Sequence, residues 1–403
     1  MLIKLAYGDE QIPIDVPDNW INGRCYRPHP LSQCADVRAE LMAVLSVLPT
    51  ELSLESLGEG KTNGVIAVDI DSTVILREVL PALVEMIEDE TSLDSASLTI
   101  LLTNRLWNPI TPEDLPQLLP SEVLDHYRVV VHDPFDSEML TELGVSTKKV
   151  PITVNRLYKE ADLKILLSGV RPDLLLGFTG GRSLVLPGLS GKETLRAIYH
   201  FNNVADRNTR YGAFRDNPFH MAGVEATNMA GSDLCINVTL TPAGEPAHIF
   251  AGHFGKSQLD AMNKLREGMI VRVKEPMDIV VTSGGGAPYD ASLPQILNTL
   301  AAVESVLKPD GTIVIAAAMK DGFGPPPFSK LFEGNNTVHE ALERLSSPRS
   351  FIPGQWLAQR FYSILQSHEV ILFNKDLNED MLWAAGLSPS NDITQAVHEA
   401  MQS

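Results

Sequence analysis

At 403 residues, with 44% apolar and 21% charged side chains, the chain is too long for one core and too apolar to be disordered, so two domains are expected. A formal net charge of −19 repels phosphate backbones and anionic lipid, which argues against nucleic-acid and membrane partners. Three cysteines (Cys25, Cys34, Cys235) with no C-x-x-C pair, and a longest apolar stretch, near Ile313–Met319, far short of a membrane span, lead us to expect a cytoplasmic protein.

The chain opens Met1-Leu2-Ile3-Lys4-Leu5-Ala6-Tyr7, alternating like a strand and without a signal-peptide core. Leu2–Tyr7 and Gln11–Val16, separated around Gly8, predict a hairpin. Asp36–Leu48 has helical apolar spacing. Strands and helices then alternate: strand Gly64–Asp69, helix Leu76–Glu88, strand Ala96–Asn104, a helix opened by Thr111-Pro112-Glu113-Asp114, strand Tyr127–His132 and helix Ser137–Leu143. This rhythm implies a parallel sheet with ligands at the carboxyl ends of its strands, and the first three strands end in polar residues: Asp69 to Thr73, Asn104, and His132-Asp133. After a crossover at Lys264–Lys274, a second βαβ run follows: strand Ile279–Thr282, the loop Ser283–Pro288, helix Leu293–Leu307 and strand Gly311–Met319. The boundary is placed at 270/271, and the last third is expected to be mostly helical, ending in Asn391–Met401.

The most informative segment runs from Gly177 to Gly191, five glycines in fifteen residues, and includes Thr179-Gly180-Gly181-Arg182-Ser183 and Pro187-Gly188. Glycines let backbone N–H groups surround an anion, Arg182 offers a forked cation, and a helix over Lys192–His200 would add its dipole. The alternative is a turn-rich connection that needs glycine for shape alone. Asp69-Ile70-Asp71-Ser72-Thr73 resembles the first motif of haloacid-dehalogenase-type phosphatases, but the only Gly-Asp in the chain is Gly8-Asp9, upstream of it. The ten histidines form no zinc pattern; His200 ends the helix after the glycine loop.

Together these segments resemble LarA-type lactate racemases, the nickel-pincer-nucleotide family. The resemblance is carried by Leu5-Ala6-Tyr7-Gly8, Asp71-Ser72-Thr73, Asn104-Arg105-Leu106-Trp107, His132-Asp133, Gly177–Gly188, Asn217-Pro218, Cys235-Ile236-Asn237-Val238, Gly284–Asp290 with Gln295, and Gly322-Phe323-Gly324. It implies an α/β, LarA-like two-domain fold: a Rossmann-like N-terminal domain (1–270), a smaller C-terminal α/β domain (271–403) and an active site in the cleft.

The resemblance carries the family's chemistry less completely. Ser183 stands where the family has the lysine that tethers its cofactor, Asn104 and Asp173 stand for histidines, and the remaining histidine aligns with Tyr199 or His200. Val74 replaces a substrate-clamping arginine and Asn298 a lysine. The implied function is a diverged racemase or epimerase acting on a small hydroxylated acid or polyol-type substrate, not lactate, by hydride and proton transfer. Asp173, His200 and Asn104 are its catalytic candidates. Asp71, Thr73, Gln295 and Asn298 would bind substrate, and Thr179, Gly180, Gly181, Arg182, Ser183, Pro187 and Gly188 would hold the cofactor. The cofactor implied is nickel-pincer nucleotide, non-covalent if bound, with His200 on the metal; otherwise the metal is unknown. Two other readings stay open: a catalytically silent anion- or nucleotide-binding protein, and a phosphatase using Asp69 and Asp71.

Overall fold

Strand and helix patterns of the first half assemble into one twisted sheet. The computed structural model describes residues 2–16, 25–26, 31–334, 337–347 and 351–402. In chain order its strands are β1 (Leu2–Tyr7), β2 (Glu10–Asp15), β3 (Gly64–Val68), β4 (Leu98–Leu102), β5 (Arg128–Val131), β6 (Leu140–Val145), β7 (Pro151–Asn155) and β8 (Leu163–Val170). They continue with β9 (Pro172–Asp173), β10 (Gly177–Phe178), β11 (Leu234–Leu240), β12 (Pro246–Gly252), β13 (Met277–Ser283), β14 (Leu307–Ala316), β15 (Glu369–Phe373) and β16 (Ser388–Ser390). The first sheet has the order β12-β11-β8-β3-β4-β5, parallel except for the antiparallel edge strand β12.

Its central strands are apolar throughout because both faces are covered. Ile66, Val68, Ile100, Leu102, Ile165 and Leu167 pack on one side with the helices Val37–Ser46 and Leu80–Glu90. Their alternates Val65, Ala67, Leu101 and Leu166 face the glycine-rich segment and the helix Pro218–Ala230. Among the described residues no helix is long and apolar enough to cross a membrane.

The second sheet, β13-β14-β15-β16, is all parallel. Ile313, Ile315, Val370 and Leu372 face the helices Leu293–Glu304 and Gln355–Ser367. Val314, Ala316, Ile371 and Phe373 face the helix Ile393–Ala400 and, unexpectedly, Tyr7 and Ile14 of the β1-β2 hairpin. Division by chain order assigned this hairpin to the first domain; its apolar face is buried on the second sheet. Asp290 locks it there by accepting from Gly8 N (2.8 Å) and Ala318 N (3.1 Å).

Two other expectations are corrected. The helix expected at Ser137–Leu143 is one short turn, Ser137–Met139, followed by β6, because Leu140–Val145 finds a ladder partner in β7. The last third is less helical than its composition suggests, since β15 and β16 complete the sheet. One apolar cluster spans both domains, from Val185 and Leu186 to Leu293 and Phe328. Asn298 Oδ1 accepts from Leu174 N (3.2 Å), and Gln359 Nε2 donates to Phe201 O (2.8 Å), so polar bonds also cross between the halves.

Candidate functional site

Because β3, β4 and β8 run parallel, the residues that follow them emerge at one sheet edge. Asp69 and Asp71 leave β3, Asn104 and Arg105 leave β4, and Arg171 and Asp173 leave β8. The charges interlock. Arg171 Nη2 lies 2.7 Å from Asp71 Oδ2 and its Nη1 3.6 Å from Asp69 Oδ2, while Arg105 Nε meets Asp71 Oδ1 at 2.5 Å. Burial works against ionising Asp71, but the two guanidiniums outweigh it and hold its carboxyl below the usual range. Burial dominates at Asp69 and pushes its carboxyl up.

Asp173 is fixed differently. It belongs to the two-residue hairpin β9-β10, and its Oδ1 accepts from Leu175 N (2.8 Å) and Leu176 N (2.7 Å) in the connecting turn. Among the described residues its Oδ2 takes no hydrogen bond. Burial raises its carboxyl despite those amides and nearby Arg171. The side chain is partly exposed, and its charge acts on Arg171, Arg182, Tyr199 and Tyr211.

The glycine-rich segment departs from the expected anion cradle. Its amides are already used: Gly181 N donates to Asn237 Oδ1 (2.9 Å), Gly180 N to Ser183 Oγ (3.1 Å) and Thr179 N to Arg171 O (2.9 Å). Thr179 Oγ1 donates to Gly169 O (2.7 Å), and Gln258 Nε2 donates to Thr179 O (2.8 Å). A side chain at Gly181 would sit 2.1 Å from Cys235 Sγ, and one at Gly177 would meet Ala213 O at 1.8 Å. These glycines are required by close packing, the alternative the sequence left open.

Arg182 is inside the protein, 2% exposed, donating from Nη2 to Phe178 O (3.2 Å) with Nη1 unpartnered among the described residues. Burial lowers its pKa to about 9. Only Ser183, Pro187 and Gly188 of the expected cofactor set are partly exposed. The helix after the loop, Lys192–Ile198, begins at the segment's last glycine, Gly191, which is its N-cap.

Three other candidates are committed to structure. Asn104 Oδ1 accepts from Arg105 N (2.8 Å) and Ile110 N (2.9 Å), closing the 104–110 loop. Gln295 donates to Pro288 O (2.8 Å) and accepts from Ser292 Oγ (2.8 Å), which fixes the loop before its own helix. His200 is exposed and caps the turn Phe201–Val204 through Nδ1, 3.3 Å from Asn202 N. The neighbouring Tyr199 is the inward residue, stacked on Trp356 at 3.8 Å and 12°. Among the described residues no group of three or more His, Cys, Asp or Glu side chains is placed to hold a metal ion.

Thr73 is exposed on the turn after Asp71, and Asn298 reaches the cleft only by spending its carbonyl on Leu174. Val74, in the clamping position, packs on the core. The residue that sequence reasoning passed over is Arg171. The criterion that singled out the ends of the first three strands, polar residues after an apolar run, applies equally to Val170-Arg171-Pro172-Asp173.

Comparison with known proteins agrees with this architecture. The lactate racemase N-terminal domain matches residues 7–212 and the lactate racemase C-terminal domain residues 272–403. The lactate racemase of Thermoanaerobacterium thermosaccharolyticum is 28% identical over 401 residues, spanning 98% of this chain and 93% of that protein. That of Lactiplantibacillus plantarum is 26% identical over 351 residues, 86% and 82% of the two chains. The solved lactate racemase apoprotein from T. thermosaccharolyticum superposes with a TM-score of 0.90 over 100% of this chain and 95% of its own. A Thermotoga maritima protein, 17% identical over 84% and 92% of the chains, shares the fold at a TM-score of 0.61. With both domains matched in order and the whole chain superposed, this protein belongs to the lactate racemase family.

Proposed function

We propose that the cleft takes a small hydroxylated acid other than lactate, in a diverged racemase or epimerase whose proton-transfer group is Asp173. The observation that carries this reading is the Asp173 carboxyl. It is anchored through Oδ1, takes no hydrogen bond at Oδ2 among the described residues, is partly exposed and is raised above the usual carboxylate value by burial. Lactate is disfavoured because Val74 and Asn298 offer no charge to its carboxylate where the family has arginine and lysine.

The family's nickel-pincer nucleotide does not fit these residues. Ser183 has a hydroxyl, which donates to Gly180 O (2.6 Å), and no amine to form the tether. Tyr199, at the position of the family's remaining histidine, is face to face with Trp356. Together with the structural roles of Asn104 and His200, these observations favour a second reading, a catalytically silent acid-binding protein.

Chiral chromatography separates the two. Single enantiomers of glycerate, malate and 2-hydroxyglutarate, with lactate for comparison, are incubated with the wild type and Asp173→Asn. Inversion of one acid, absent for lactate and reduced roughly 100-fold in the variant, is the expected result. Inversion undiminished by Asp173→Asn would remove Asp173 from the chemistry. Saturable binding without any inversion would establish the silent protein.

A further inference from the structure

Arg171 and Arg105 carry more donors than the protein uses. A guanidinium has five N–H groups. Arg105 gives Nε to Asp71, Arg171 gives Nη2 to the same carboxylate, and neither guanidinium donates a hydrogen bond to any other described residue. Their side chains remain 31% and 34% exposed. Beside Arg105 lies a depression of about 210 Å³, lined by Asn108, Ile110, Asp114 and Gln117 among others. Asp114, the carboxylate in that wall, is occupied by the N–H and hydroxyl of Thr111 (2.8 and 3.0 Å).

Asp71 shares its one carboxylate between both guanidiniums, and Asp69 stands farther off, 3.6 Å from Arg171 Nη1, with its carboxyl raised by burial. The remaining N–H groups of the two forks face no protein hydrogen-bond acceptor among the described residues. We propose that Arg171 and Arg105 form the carboxylate clamp of the cleft, held in place by Asp71, and that a small acid binds with its anionic end against them. The clamp would thus have moved from the end of β3, where Val74 packs into the core, to the ends of β4 and β8. This rests on the hydroxy-acid reading for the identity of the ligand, but not for the anion site itself.

Calorimetric titration of the full chain at low ionic strength tests it, with glycolate, its neutral amide glycolamide, and inorganic phosphate as probes. Glycolate and phosphate should bind saturably and glycolamide should not. Arg171→Met and Arg105→Met should each weaken anion binding roughly 10- to 100-fold, the range for losing one charge-assisted contact, and Arg171→Lys should restore part of it. Each variant leaves Asp71 one cationic partner; should Arg171→Met fail to fold, Arg105→Met and Arg171→Lys decide. Glycolate bound equally by wild type and variants overturns the clamp and leaves the hydroxy-acid reading standing. Phosphate bound through Arg171 by a protein that takes no hydroxy acid supports the clamp and overturns that reading. Failure of the wild type to bind either anion overturns the clamp.

Discussion

His132 should make this protein acid-sensitive through a single proton. The ring is 2% exposed at the end of β5, with Nδ1 3.1 Å from Asn155 Nδ2 and Nε2 3.1 Å from Ser190 O. An amide nitrogen can only donate, so Nδ1 accepts and Nε2 carries the hydrogen given to Ser190. Protonating Nδ1 would set two N–H donors against each other in a dry interior. Burial accordingly lowers the pKa from 6.5 to about 4. Because the folded value lies below the unfolded one, the unfolded chain binds the proton first as pH falls. The stabilisation is therefore complete above the unfolded pKa and lost as pH drops through the folded one. Between pH 6.5 and about 4, at about 1.4 kcal/mol per pH unit, the loss amounts to about 3 kcal/mol. Urea denaturation of wild type and His132→Gln at intervals from pH 8 to 4 reads it directly. Gln can still donate to Ser190 but cannot titrate, so the other histidines and carboxylates cancel in the difference. The wild type should lose about 3 kcal/mol more than the variant over that window. Parallel pH profiles, or an imidazole that titrates near pH 6.5 by NMR, would refute the burial argument.

Two further expectations concern the glycine segment. Gly181→Ala places a methyl 2.1 Å from Cys235 Sγ and should destabilise by roughly 1–3 kcal/mol; adding Cys235→Ala should recover most of it, and a thermal melt in which the two changes are simply additive would contradict the packing role. Expressed in a host that makes the pincer nucleotide, the chain should show the intact mass of the bare polypeptide, because Ser183 offers no amine; a mass increase that survives denaturation would overturn that assignment.

Fold and site were legible to different depths, for a physical reason. Apolar runs such as Gly64–Val68 and Leu98–Leu102 announce buried parallel strands, so three strands of the first sheet and their polar ends were readable from pattern, whereas Leu163–Val170 and Leu234–Leu240 escaped that reading. Leu140–Val145 misled because a short run of mixed propensity takes its form from its partner, here β7. The hairpin was recognised but misplaced, since nothing local in Leu2–Asp15 says which sheet its apolar face will cover. The pairing of Asp71 with Arg105 and Arg171 joins positions 34 and 100 residues apart, which no local motif encodes.

The glycine segment shows why a family resemblance carries fold more securely than chemistry. Gly177, Gly180 and Gly181 are held by Ala213, Gln258 and Cys235, and Arg182 is enclosed by the same packing, so replacing any of them would disturb the body of the first domain. Ser183, Asp173 and His200 carry no such burden: each touches solvent, and their protein bonds are to adjoining backbone. Packing therefore resists change at the positions that make the loop recognisable and permits it at the positions that would touch a cofactor. A chain can keep the glycine signature for its core alone, whatever charges the edge beside it carries, and here those charges concentrate where Arg171 meets Asp71.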